Sequence, residues 1–152
     1  MYAKLKSDSD IQYGTFTRFL LSADINPLDY LNYVPDYFLK STKSASAMVP
    51  SNIVLTDNIE YIGNYAFYNC SGLISVLLGS NIVSIGDYAF GNCKNLTDLI
   101  LPDKVASIGD SAFQNCSQLS SIIIPDSVTS IGWAAFSSCT NLKTIVIGQG
   151  VT

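Results

Sequence analysis

The chain contains no histidine, only one tryptophan and few charged residues: Asp, Glu, Lys and Arg make up 13% of its 152 residues. That is about half the usual charged share. Without histidine, Ser-His-Asp and Cys-His catalysis and His-ligated metal centres are excluded. No run of about 18 consecutive apolar residues occurs, so no membrane-spanning helix is expected. Gly-rich phosphate loops, a nucleophile beside a base, and Cys-x-x-Cys metal pairs are absent as well. An enzyme is therefore not expected, nor a cofactor, nor a metal. Eight basic residues against twelve acids leave a net charge of -4, which disfavours a nucleic-acid partner. Apolar residues, in contrast, reach 48%, and the mean hydropathy is +0.30. Such a chain folds, and its length suits one domain.

Charge is unevenly distributed. Residues 1–46 hold five bases and five acids, so they are neutral. The remainder carries Lys94, Lys104 and Lys143 against seven acids, which accounts for the whole -4. The Ser-Thr-Lys-Ser-Ala-Ser stretch from Ser41 to Ser46 reads as an irregular connection, placing a boundary near residues 44–50. Met1 is followed by the polar run Lys4 to Asp10 rather than by an apolar segment, so no secretory signal is visible. Either export does not take this route, or Met1 opens an excised fragment.

From about Ile53 the sequence repeats every 23 residues. Ile-Gly recurs at 62–63, 85–86, 108–109 and 131–132, followed by Ala-Phe at 66–67, 89–90, 112–113 and 135–136. Cysteine follows at 70, 93, 116 and 139, and leucine at 73, 96, 119 and 142. An alternating apolar pair comes next (Val76 and Leu78, Leu99 and Leu101, Ile122 and Ile124, Ile145 and Ile147), then Gly or Pro at 79, 102, 125 and 148. The alternating segment has period 2 and predicts a short strand with one buried face, ended by Pro102 or Pro125, which cannot extend a hydrogen-bonded ladder. Ala, Phe and Cys in Asp87 to Cys93 stand at local helical spacing and predict one or two helical turns. A single unit cannot bury Phe, Cys, Leu and paired Ile, whereas stacked units can.

The pattern Cys-x-x-Leu-x-x-Ile-x-Ile-Pro-x-x-Val-x-x-Ile-Gly-x-x-Ala-Phe resembles the BspA-like, or Treponema-type, leucine-rich repeat over residues 53–152. The resemblance implies a curved α/β solenoid with a concave parallel β-sheet and short helices or turns on the convex side. It also implies a surface or secreted protein that binds other proteins or cells. Residues 1–50 are expected to form a small helical N-terminal cap, with a helical face at Phe16, Phe19 and Leu20 and a second helix opening at Asn26-Pro27. Within it, Val34 to Leu39 is expected to be a degenerate repeat. Residues 51–152 then form the solenoid, whose last turn is expected to leave its core edge open at the C-terminal end.

Several residues invite functional readings. The four cysteines, 23 apart, are expected to stack as buried free thiols, because parallel side chains disfavour disulfides. Asn69, Asn95 and Asn115 match glycosylation sequons, yet they recur as repeat positions and are expected to hydrogen-bond turns. Asp57, Asp103 and Asp126 align after the strands, where a calcium site competes with plain turn acceptors. On the strands, Ser75, Asp98, Ser121 and Thr144 form one outward column. Val54, Leu77, Ile100, Ile123 and Val146 form another, either an interaction surface or simply β-branched residues on an exposed sheet. Trp133 replaces Asn64, Asp87 and Asp110 and is a candidate contact, beside tyrosines 61, 65, 68 and 88.

Two functions remain. One is a non-enzymatic interaction or adhesion module that binds a protein or glycan, host or cell-surface by resemblance. The other is a structural subunit of a larger assembly, a homo-oligomer or virion component, with self-association through the open end.

Overall fold

The computed structural model describes Tyr33, Val34, Phe38 and residues 50–152. The expected helices of the N-terminal cap lie outside these residues. Parallel strands line two sides of the repeats. On the first side, the first sheet below, β2 (Asn52–Val54) pairs with β4 (Ser75–Leu77) and β4 with β6 (Asp98–Leu99), while β8 (Ser121–Ile124) and β10 (Thr144–Ile147) pair as a separate two-stranded segment. Every pair is offset by 23 residues, so Val76 lies beside Ile53 and Leu99 beside Val76. The alternation of the repeat therefore becomes alternation of face, with Ile122 and Ile124 buried and Ser121 and Ile123 exposed.

The second sheet has the order β1 (Tyr33–Val34), β3 (Tyr61–Ile62), β5 (Ser84–Ile85), β7 (Ser107–Ile108) and β9 (Ser130–Ile131). Its strands are the residues just before each Ile-Gly turn. Val34 pairs with Ile62, 28 residues on, and Phe38 is buried with its ring edge-on to Phe67 at 6.0 Å. Val34 and Phe38 thus extend the second sheet and the buried core beyond the first full repeat.

Among the described residues there is no helix, which corrects the expected helical turns. The backbone shows why. Tyr65, Tyr88, Ser111 and Ala134 have φ of 52–56°, and Asn69, Asn92, Asn115 and Ser138 have φ of 60–63°. Two left-handed residues four apart in each turn stop a right-handed helix from continuing. The N–H groups then alternate between two destinations. Ala89, Gly91 and Cys93 donate three residues back within the turn, at 3.0–3.3 Å, while Tyr88, Phe90 and Asn92 donate sideways to the carbonyls of Asp110, Ala112 and Gln114 at 2.8–2.9 Å. Lateral bonding to the next turn replaces the helical i−4 bond, so this side too is a ladder.

The core lies between the two sheets and this turn ladder. Phe67, Phe90, Phe113 and Phe136 stack with centroids 5.1–5.5 Å apart and rings within 13° of parallel. Beside them the cysteines have a definite role. The thiols of Cys93, Cys116 and Cys139 donate to the carbonyls of Phe67, Phe90 and Phe113, each in the preceding turn, at 3.1–3.2 Å. Burial pushes the Cys93 and Cys116 thiols well above the ordinary cysteine value.

Candidate binding surface

The first sheet offers one face to the core and the other to solvent. On the outer face stand Val54, Leu77, Ile100, Ile123 and Val146, with Ile100 80% exposed and Ile123 66% exposed. Strand register sets Leu77 beside Val54 and Val146 beside Ile123, and Ile100, one residue past β6, lines one groove with Leu77 and another with Ile123 and Val146, so the five form a stripe one residue wide across the turns. Asp98, Ser121 and Thr144 are exposed along one flank, with Ser75 half-buried at its head. An uncovered stripe of this kind exists because a side-chain period of 2 sends every other apolar residue outward once the strands pair in register.

Two shallow grooves follow the stripe. The larger, of about 810 Å³, is lined by Ile100, Ile123 and Val146 together with Asp103, Asp126 and Gln149. The smaller, of about 320 Å³, is lined by Leu77, Ile100 and Asp98. Neither is lined by Lys or Arg. The sequence aligned Asp103 and Asp126 but gave no hint that they border the stripe, because only the turn after Pro102 and Pro125 brings them back to it.

Trp133 lies elsewhere. It follows β9 of the second sheet, is 78% exposed, and lines neither groove. Its position belongs to a column of side-chain acceptors: Asn64 Oδ1 accepts from the Asp87 N–H, Asp87 Oδ1 from the Asp110 N–H and Asp110 Oδ1 from the Trp133 N–H, at 2.6–2.8 Å. Tryptophan has no acceptor oxygen, so the column stops there. Tyr65 and Tyr88 stack at 4.9 Å with Tyr68 edge-on to both, forming a separate aromatic cluster on the turn ladder. The candidate residues therefore occupy distinct places, and only the strand residues form one surface.

The other polar repeat positions are explained by lateral bonding. Asp57 Oδ1 accepts from the Ser80 backbone N–H and hydroxyl at 2.7 and 2.9 Å, and these two bonds hold its carboxyl below the ordinary aspartate value. Asp126 Oδ1 accepts from the Gln149 N–H at 2.9 Å. These aspartates act as acceptors across turns, and no cluster of three metal-ligating side chains occurs among the described residues. Asn115 Nδ2 donates to Asn92 Oδ1 at 2.7 Å, and Asn92 Nδ2 to the Tyr68 hydroxyl at 2.9 Å. Asn95 Nδ2 donates to the Ser71 carbonyl at 2.8 Å. Asparagine suits positions 69, 92 and 115 because it tolerates positive φ.

With the 23-residue strand register and the apolar stripe in place, comparison with known families is decisive. The family model for the BspA type leucine rich repeat region matches residues 46–152 in six copies. The chain belongs to the BspA-type leucine-rich repeat family. Among solved structures, this repeat chain is similar to a leucine rich cell surface protein from Faecalibacterium prausnitzii, with 32% identity and a TM-score of 0.72 over 80% of the chain and 32% of that protein. It also resembles a leucine-rich repeat protein from Bacteroides ovatus, with 30% identity and a TM-score of 0.66 over 74% of the chain and 28% of that protein. A leucine rich repeat protein from T. pallidum aligns at 26% identity with a TM-score of 0.56, over 73% of the chain and 61% of that protein. No curated protein sequence matches the chain. The chain spans about a third or less of the first two solved relatives. The family and fold are typically non-enzymatic and serve protein interaction in general. Among the described residues no helix is long and apolar enough to cross a membrane.

Proposed function

We propose that this BspA-type solenoid is a non-enzymatic protein-binding module that engages its partner through the outer face of the first sheet. The observation that carries the reading is the continuous exposed stripe Val54, Leu77, Ile100, Ile123 and Val146. Exposed contiguous apolar surface favours contact with a partner, since covering it releases about 25 cal/mol per Å². The surface location named for the Faecalibacterium relative supports a role in adhesion at a cell surface. Affinity capture tests the reading, with wild type and an Ile100→Glu/Ile123→Glu variant of unchanged melting temperature as baits. Proteins retained by wild type and lost by the variant support it; identical retained sets overturn it.

A further inference from the structure

Resting on the reading of the stripe as a protein-binding face, we propose that the segment it receives is an amphipathic α-helix. That helix lies across the strands, with lysine or arginine bordering its apolar side. Charge, backbone chemistry and pitch argue for it independently.

Carboxylates line both grooves along the stripe. Asp98, in β6, stands two residues before Ile100 and lines the smaller groove with it, and Asp103 and Asp126, in the turns that follow the strands, line the larger groove. No basic residue lines either groove. An apolar seam whose grooves hold three carboxylates and no base is complementary to an apolar helix seam bordered by bases. The same carboxylates repel an acidic helix.

The partner's backbone must also be satisfied. The face of a sheet presents side chains only, because its N–H and C=O groups point along the plane to neighbouring strands. A strand laid across that face would leave its own backbone groups without partners beneath it, whereas a helix satisfies its backbone internally.

Pitch points the same way. Successive rows of the stripe are one strand apart, about 4.8 Å. From Leu77 to Val146 is three such intervals, roughly 14 Å. Three turns of helix advance about 16 Å, while three same-side steps of an extended strand advance about 20 Å. The helix stays within a side chain's reach of every row, and the strand falls out of step. The stripe is a single residue wide, so it suits the narrow seam of an amphipathic helix better than a broad apolar patch.

Three fluorescent peptides of about 15 residues, enough to span the stripe as a helix, test this by anisotropy. The first carries leucine at i, i+3, i+4 and i+7 flanked by lysine. The second has the same composition with leucine and lysine alternating. The third has glutamate in place of lysine. The first should bind, with affinity falling as salt rises, and the other two should bind at least tenfold more weakly. The Asp98→Asn/Asp103→Asn/Asp126→Asn variant keeps acceptor oxygens at all three positions. It should bind the first peptide about tenfold more weakly, the effect of three exposed ion pairs of modest strength, with a shallower salt dependence. Equal binding of the alternating peptide overturns the helical form, and equal binding of the glutamate peptide or by the triple variant overturns the charge complementarity. Should no peptide bind while Ile100→Glu/Ile123→Glu still loses its captured proteins, this inference falls and the binding face stands.

Discussion

Replacing Ser111 by alanine should make the protein more stable, against the usual outcome for a fully buried position. Ser111 is 0% exposed and its hydroxyl has no hydrogen-bond partner. A buried polar group without a partner costs about 1–3 kcal/mol. Alanine removes the oxygen and keeps the Cβ, so Ser111→Ala should gain about 1 kcal/mol once the small void is allowed for. The backbone supplies a second contribution. Ser111 has φ of 52°, a conformation that costs a side-chain-bearing residue about 1–2 kcal/mol and glycine almost nothing. Ser111→Gly relieves both, but glycine's extra unfolded-state freedom returns about 0.5–1 kcal/mol. The order of stability should therefore be glycine at or slightly above alanine, and both above serine. Urea denaturation monitored by circular dichroism measures the differences directly. Thermal melts should rise by roughly 2–4 °C for each kcal/mol. A loss of 1 kcal/mol or more in Ser111→Ala would mean that the hydroxyl is satisfied, and the reasoning would fail.

Three further outcomes follow from the same ladders. Ellman's reagent should modify Cys139 slowly in the native protein, because its thiol is only part-buried and shifted upward, while Cys70, Cys93 and Cys116 react only after unfolding. Rapid modification of all four before denaturant would contradict the stacked core. Gly109→Ala should destabilise the protein by about 1–3 kcal/mol through overpacking, since a Cβ there would lie 2.6 Å from the Gly86 carbonyl carbon and Asp87 nitrogen. An unchanged denaturation midpoint would show that the turns separate freely. Because the Asp57 carboxyl titrates lower in the folded state than in the unfolded chain, its contribution is present above the ordinary aspartate value and is lost as pH falls through the folded one. Asp57→Asn should flatten the acid limb of the stability-against-pH curve, and an unaltered limb would mean the Ser80 bonds contribute nothing.

The repeat made much of this protein readable in advance. Alternation in residues 121–124 and 144–147 identified the strands, and in 121–124 the buried face, because in a parallel sheet of equivalent turns the register is the repeat length itself; in 144–147 all four residues are exposed. The outward positions of Leu77, Ile100 and Ile123 followed from the same alternation. The turn side was misread because Ala89, Phe90 and Cys93 have the spacing of a helix as well as of a stacked turn. Spacing alone does not distinguish a helix from a ladder when each turn is so short. The positive φ at Tyr88 and Asn92 and the sideways bonds to Asp110, Ala112 and Gln114 exist only once the next turn is in place. The second sheet escaped notice for a related reason: two residues, Ser84 and Ile85, carry almost no periodicity by themselves.

By itself, then, the sequence determined a stacked 23-residue solenoid, its buried set and the exclusion of histidine chemistry, because each of these depends on residue type and spacing. The tertiary structure decided everything that depends on a neighbouring turn. It showed where the lateral N–H groups bond, and that the aspartates at 57, 87, 110 and 126 serve as acceptors across turns. It also placed Asp98, Asp103 and Asp126 around one apolar stripe and set Trp133 apart from it. The physical reason is that 23 residues of chain separate these partners along the sequence, while one strand spacing separates them in space.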